Sequence, residues 1–203
     1  GYLAGYAVVK EGYEKLGFTA GGGGTNPACN RFGYGFVQGA NAAAAELGKT
    51  VTIKYSYKFG DNFSASSELQ AQIASWYAAG TEVVFACGGS MFDSVKSAAA
   101  EYKDRNVKIV GVDTDQSGES EQVITSAVKE LANSVDIVLT QFYGGEWDSK
   151  LAGKTQNLGA AENATGLPTA TWRLTNFTVE QYKEVFEKIK NGTIVPDANT
   201  PGN

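Results

Sequence analysis

Asp113 and Asp115 follow the apolar run Val107–Val112 in the segment VKIVGVDTDQ. Two carboxylates at this spacing, at the end of a buried strand, can ligate a cation, act as acid and base, or accept hydrogen bonds from a polyol. A hard cation normally takes more oxygen ligands than this segment supplies. The bland alternative is an Asp that shapes a turn. Lys129 ends a second apolar run, VITSAV, where its ammonium either donates to a ligand oxygen or points to solvent. Two glycine turns stand at comparable places: Gly21 to Gly24 after KLGFTA, and Gly88-Gly89 after EVVFAC. Neither has the spacing of a nucleotide fingerprint, so each is a ligand-facing backbone or a packing turn. Phe59 and Phe63, in KFGDNFSAS, can stack on a planar ring or anchor their loop.

The 203-residue chain contains no histidine, which removes Ser-His-Asp and Cys-His mechanisms and histidine-ligated metals. Cys29 and Cys87 are too few for a four-thiolate zinc site, and they are read as free buried thiols ahead of a disulfide. A net charge of −5 argues against a nucleic-acid partner. With 42% apolar and 19% charged residues, the chain has the make-up of a globular protein. No run reaches the length of a membrane span. The start carries no initiator Met and no signal-peptide pattern, so the chain is expected to be a processed or excised piece.

The positioning elements follow from periodicity. Helical spacing covers 2–13, 27–47, 64–79, 92–105, 129–142 and 178–190. Strand patterns cover 15–20, 51–57, 82–87, 107–112 and 122–128, with a further short strand expected at 170–176. Strands alternating with helices predict an α/β fold with a doubly wound, mainly parallel sheet of five or six strands. Ligands bind at the carboxyl edge of such sheets, where the glycine turns, Asp113 and Lys129 all fall. Trp76, Tyr77, Trp172 and Phe177 read as core.

Six segments taken in order, GYLAGYAVVKEGYEKLGF, NRFGYGFVQGA, EVVFACGGSMFDSV, IVGVDTDQ, VITSAVK and FTVEQYKEVFEKIKNGTIVP, resemble the basic membrane protein family. These are substrate-binding lipoproteins of bacterial ABC transporters, typically for purine nucleosides. The resemblance implies a periplasmic-binding-protein-like (type I) lobe, with most of the N-terminal lobe absent. Residues 1–14 would be a helix normally packed on that lobe, 15–128 the C-terminal α/β lobe, and 129–203 a crossover and C-terminal helical segment. The first helix, and the segment after Lys129, would then expose apolar surface able to associate with the N-terminal lobe or a second copy.

Residue by residue, the resemblance assigns Asp113 to the ribose hydroxyls and Lys129 to pairing with Asp113 and donating to the sugar. Gly88 and Gly89 would approach the ligand closely. Phe63, or in second place Phe59, would stack on the base, although KFGDNFSAS departs from the family's common pattern. The partners implied are a purine nucleoside and a transporter permease; no cofactor, metal or catalysis is implied. The parent protein would be extracytoplasmic and lipid-anchored. Two alternatives remain: a glycine-loop enzyme using Asp113 and Asp115 as acid and base, and a surface antigen or interaction fragment that binds no small ligand.

Overall fold

A computed structural model describes residues 1–201. The chain runs α1 (Tyr2–Glu11), β1 (Lys15–Ala20), α2 (Pro27–Leu47), β2 (Thr52–Ser56), α3 (Ser67–Ala78), β3 (Val83–Cys87) and α4 (Met91–Ala100). It continues through β4 (Lys108–Asp113), β5 (Val123–Lys129), α5 (Leu131–Tyr143), β6 (Thr165–Gly166) and α6 (Val179–Lys190). Local chemistry sets the helix ends. The Asn26 side chain accepts from the amides of Ala28 and Cys29 with Pro27 in the first turn, and Gly48 closes α2 in the left-handed conformation. Thr178 and Gln181 form a reciprocal capping box at the start of α6.

The six strands form one sheet in the order β2-β1-β3-β4-β5-β6. All neighbours are parallel except β6, which pairs antiparallel with the end of β5. Strand alternation feeds two cores. Val83, Phe85 and Cys87 join Phe18, Phe36 and the α1–α2 layer. Val84, Ala86 and Ile109 join Leu69, Ile73, Tyr77 and Val95 from α3 and α4. This is the doubly wound α/β architecture expected from the periodicity.

Two expectations fail. The first helix was expected to lack its partner, yet seven of the ten residues of α1, Leu3 to Val9, are buried within this domain. Glycines make the seat. A Cβ on Gly5 would lie 2.0 Å from the Phe36 carbonyl oxygen, and one on Gly39 would lie 2.0 Å from that of Tyr2. The two backbones therefore approach more closely than any side chain allows. The expected strand at 170–176 is also absent. That segment is a strap held by side chains: the Glu11 carboxylate accepts from the amides of Thr175, Asn176 and Phe177, and Arg173 donates to the carbonyls of Ser120 and Val123. The sixth strand is the two-residue β6 instead.

α5 differs from the other α-helices in having no buried residue. Leu131, Val135, Val138, Leu139 and Phe142 are all exposed. With Trp147 and Leu151 from the following π-helical turn (Trp147–Leu151), most of them line an apolar groove of about 810 Å³. No helix among the described residues is long and apolar enough to cross a membrane.

Candidate functional site

The strand order changes direction between β1 and β3, the switch point at which open α/β sheets bind ligands. The loops leaving those two strands are the glycine turns, joined where the Gly21 amide donates to the Cys87 carbonyl at 3.1 Å. Phe63 reaches over from the β2–α3 loop. Its ring lies so close that a Cβ on Gly21 would meet it at 2.1 Å and one on Gly88 at 2.8 Å. Gly88 and Gly89 have φ of 143° and 47°, a region open to glycine and costly for most residues. The Gly88-Gly89 turn is thus held by both backbone shape and the ring above it.

One strand further along the sheet, parallel pairing sets Asp113 opposite Val128, which puts Lys129 beside it. The Lys129 ammonium lies 2.7 Å from Asp113 Oδ1. That oxygen is itself shielded from water and has no directed hydrogen bond, so the ammonium is its ionic neighbour. Asp113 adopts φ 67°. Left-handed backbone is uncommon outside glycine and gathers at functional sites, where the surroundings impose it. Phe59, at φ 66°, and Phe63, at φ 57°, share the feature. Gln116 helps impose the turn: its side chain accepts from the Val112 amide at 2.8 Å, while its own amide donates to Ser126 Oγ at 3.0 Å.

Asp115 is not part of this pair. Its carboxylate accepts from the Ser117 amide at 3.0 Å and the Thr171 hydroxyl at 2.6 Å. Burial alone would raise its pKa, but those two hydrogen bonds bring it below the usual carboxylate range. The two aspartates have separate partners and offer no shared acid–base geometry. Phe59 is also set apart. It carries the Lys58 ammonium 4.7 Å over its ring and faces a small groove lined by Asp61, Asn62 and Ser64. Among the described residues no cluster of three or more His, Cys, Asp or Glu could hold a metal ion.

A cavity of about 380 Å³ opens next to Lys129, between the start of α2 and the chain that follows β5. Arg31, Phe32, Ser134, Gln156 and Asn157 are among its lining. Phe32 presents its ring face to the Lys129 ammonium at 5.3 Å, and Arg31 donates to Asn157 at 3.3 Å. Sequence reading missed these residues and Gln116. Their one signal is position: Arg31 and Phe32 belong to the first turns of a helix that follows a glycine loop.

The profile of the family described as "Bmp: ABC transporter substrate-binding protein PnrA-like" matches residues 1–200. The chain belongs to the Bmp family. It is 27% identical over 186 residues to the ABC transporter nucleoside-binding protein BmpA of Lactococcus lactis, covering 84% of this chain and 50% of that protein. It is 25% identical over 199 residues to a CD4+ T-cell-stimulating antigen of Listeria innocua, covering 91% and 53%. The chain spans about half the length of the curated relatives it matches. Among solved structures, an ABC transporter solute-binding protein from Aeropyrum pernix superposes with a TM-score of 0.73 at 18% identity, over 97% of this chain and 64% of that one. That likeness concerns the fold. The family is one of ABC transporter substrate-binding proteins, which supports a solute-binding role.

Proposed function

We propose that this Bmp chain holds a purine nucleoside at the carboxyl edge of its sheet, for delivery to an ABC transporter permease. The observation that carries the reading is the Asp113–Lys129 pair at 2.7 Å, on a left-handed backbone beside a cavity of nucleoside size. Adjacent ribose hydroxyls donate to a carboxylate in bidentate fashion, and the ammonium donates to a sugar oxygen. Charge-assisted bonds of this kind are about twice as strong as neutral ones. Phe63, over the glycine turns, supplies an aromatic face for the base, worth about 1–3 kcal/mol when stacked. Gly88 and Gly89 act in this reading by leaving room for Phe63, which packs directly on them. The printed name of the Lactococcus relative, a nucleoside-binding protein, supports the ligand class.

In this reading the whole protein is extracytoplasmic and lipid-anchored, and a second lobe closes over the ligand. That lobe would also cover the apolar face of α5. Closure between lobes excludes water and completes the contacts. The chain by itself is therefore expected to bind in the high-micromolar range or weaker, about 4–6 kcal/mol.

Calorimetry with guanosine, adenosine and inosine is the test. Binding that weakens by tenfold or more in Asp113→Asn and in Lys129→Met, with stability little changed, supports the site. Saturable binding that both variants leave intact overturns it. Release of free base during the titration, lost in Asp113→Asn, would instead make the chain an enzyme.

A further inference from the structure

Arg31, the fifth residue of α2, borders the cavity beside Lys129 and is exposed. It makes no ion pair among the described residues. Its hydrogen bond goes to a neutral group, Asn157 Oδ1 at 3.3 Å. The other cation at this cavity is already engaged. The Lys129 ammonium faces Asp113 at 2.7 Å and the ring of Phe32 at 5.3 Å, and Phe32 is itself set edge-on to Phe85 with ring centroids 6.0 Å apart. Among the described residues, no Asp or Glu lines the cavity of about 380 Å³.

A guanidinium without a counter-ion at a cavity wall favours an anion, and its planar fork matches two oxygens of a phosphate. The Asn157 contact uses one of five N–H donors, which leaves others for a ligand. Ala28 lines the same space, so the first turn of α2 borders it. The Asn26 side chain already occupies the amides of Ala28 and Cys29, so the guanidinium, not the helix end, carries the recognition.

Position along the sheet says which part of a ligand Arg31 would meet. Phe63 lies over the turns that follow β1 and β3, and Asp113 and Lys129 end β4 and β5. The cavity continues from Lys129 to Thr165 of β6. A nucleoside with its base at Phe63 and its 2′ and 3′ hydroxyls at Asp113 has one substituent left, at C5′, to enter that space. We infer that Arg31 is a specificity-determining residue that extends the ligand class to nucleoside 5′-monophosphates, with its guanidinium donating to two phosphate oxygens. The inference rests on the nucleoside reading of the same site.

The test is calorimetry on the folded chain at low ionic strength with guanosine, its 5′-monophosphate, its 3′-monophosphate and inorganic phosphate. The 5′-monophosphate is expected to bind about tenfold more tightly than guanosine. The 3′-monophosphate gains nothing, because its phosphate replaces a hydroxyl that Asp113 accepts. Arg31→Gln brings the ratio of 5′-monophosphate to guanosine affinity to about one, and Arg31→Lys, which keeps the charge without the fork, retains only part of it. In the unaltered chain the ratio shrinks as salt is added. A ratio near one in the unaltered chain, a ratio that survives Arg31→Gln, an equal gain from the 3′-monophosphate, or inorganic phosphate binding as tightly as the nucleotide overturns the inference. Should Arg31→Gln fail to fold, Arg31→Lys and the 5′ against 3′ comparison in the unaltered chain decide. Asp113→Asn separates the two readings. Guanosine binding that is lost there, with a ratio near one in the unaltered chain, overturns the role of Arg31 and leaves the nucleoside site standing. No binding of guanosine or of either nucleotide overturns both.

Discussion

α1 and α5 are both short, apolar helices flanking the candidate site, and they end in opposite environments. α1 is buried along Leu3 to Val9, with its backbone set against α2 through Gly5 and Gly39. α5 buries none of its thirteen residues, and Leu131 and Val135 are each 56% exposed. Apolar content alone therefore does not decide burial. α1 has a partner with glycines where the backbones cross, and the described residues supply no such surface for α5. α1 belongs to the part of the molecule that holds itself together; α5 keeps an apolar face that the described residues leave uncovered.

The contrast breaks or holds under substitution, and the largest effect is expected at the crossing. Gly39→Val drives a branched side chain into the Tyr2 carbonyl and should cost about 3 kcal/mol or more, read as a lower urea midpoint. A loss below about 1 kcal/mol would show that α1 is loosely seated. Next comes the support under Asp113. Gln116→Ala leaves the Val112 amide without its acceptor and should cost about 1–2 kcal/mol. It should also weaken nucleoside binding, whereas a purely structural role would move stability alone.

Thr171→Val removes the hydroxyl that holds Asp115 and should cost at most about 1 kcal/mol, since the pair is solvent-screened. The sign with pH follows from the lowered pKa of Asp115. The contribution is present above the ordinary carboxylate range and lost as pH falls through the folded value, so the two proteins should converge in acid denaturation. The smallest effect belongs to α5. Val135→Lys with Leu139→Lys should change stability by no more than about 0.5 kcal/mol while reducing self-association in sedimentation velocity. A loss above about 1.5 kcal/mol would mean that the helix is packed after all.

Much of this was legible in the chain. The short apolar runs KLGFTA, EVVFAC, VKIVGV and VITSAV located four strands within a residue or two, because burial on both faces leaves a continuous apolar stretch. The adjacency of Asp113 and Lys129 followed once the sheet was parallel, since both strands end at one edge. The strap at 170–176 was misread because ATWRLTN alternates like a strand. Its backbone partners are instead the carboxylate of Glu11, some 160 residues earlier, and turns of its own. β6, at two residues, is too short to carry a period.

The sequence by itself determined the layers, the parallel sheet and the edge on which the candidate residues gather, because these depend on periodicity within ten or so residues. Tertiary structure alone decided which apolar helix is buried, that Phe63 lies over Gly21 and Gly88 while Phe59 stands apart, and that Asp115 turns away to Thr171. Each of these depends on how two distant segments approach, to within about an ångström. Close packing sets that distance, and no local pattern encodes it.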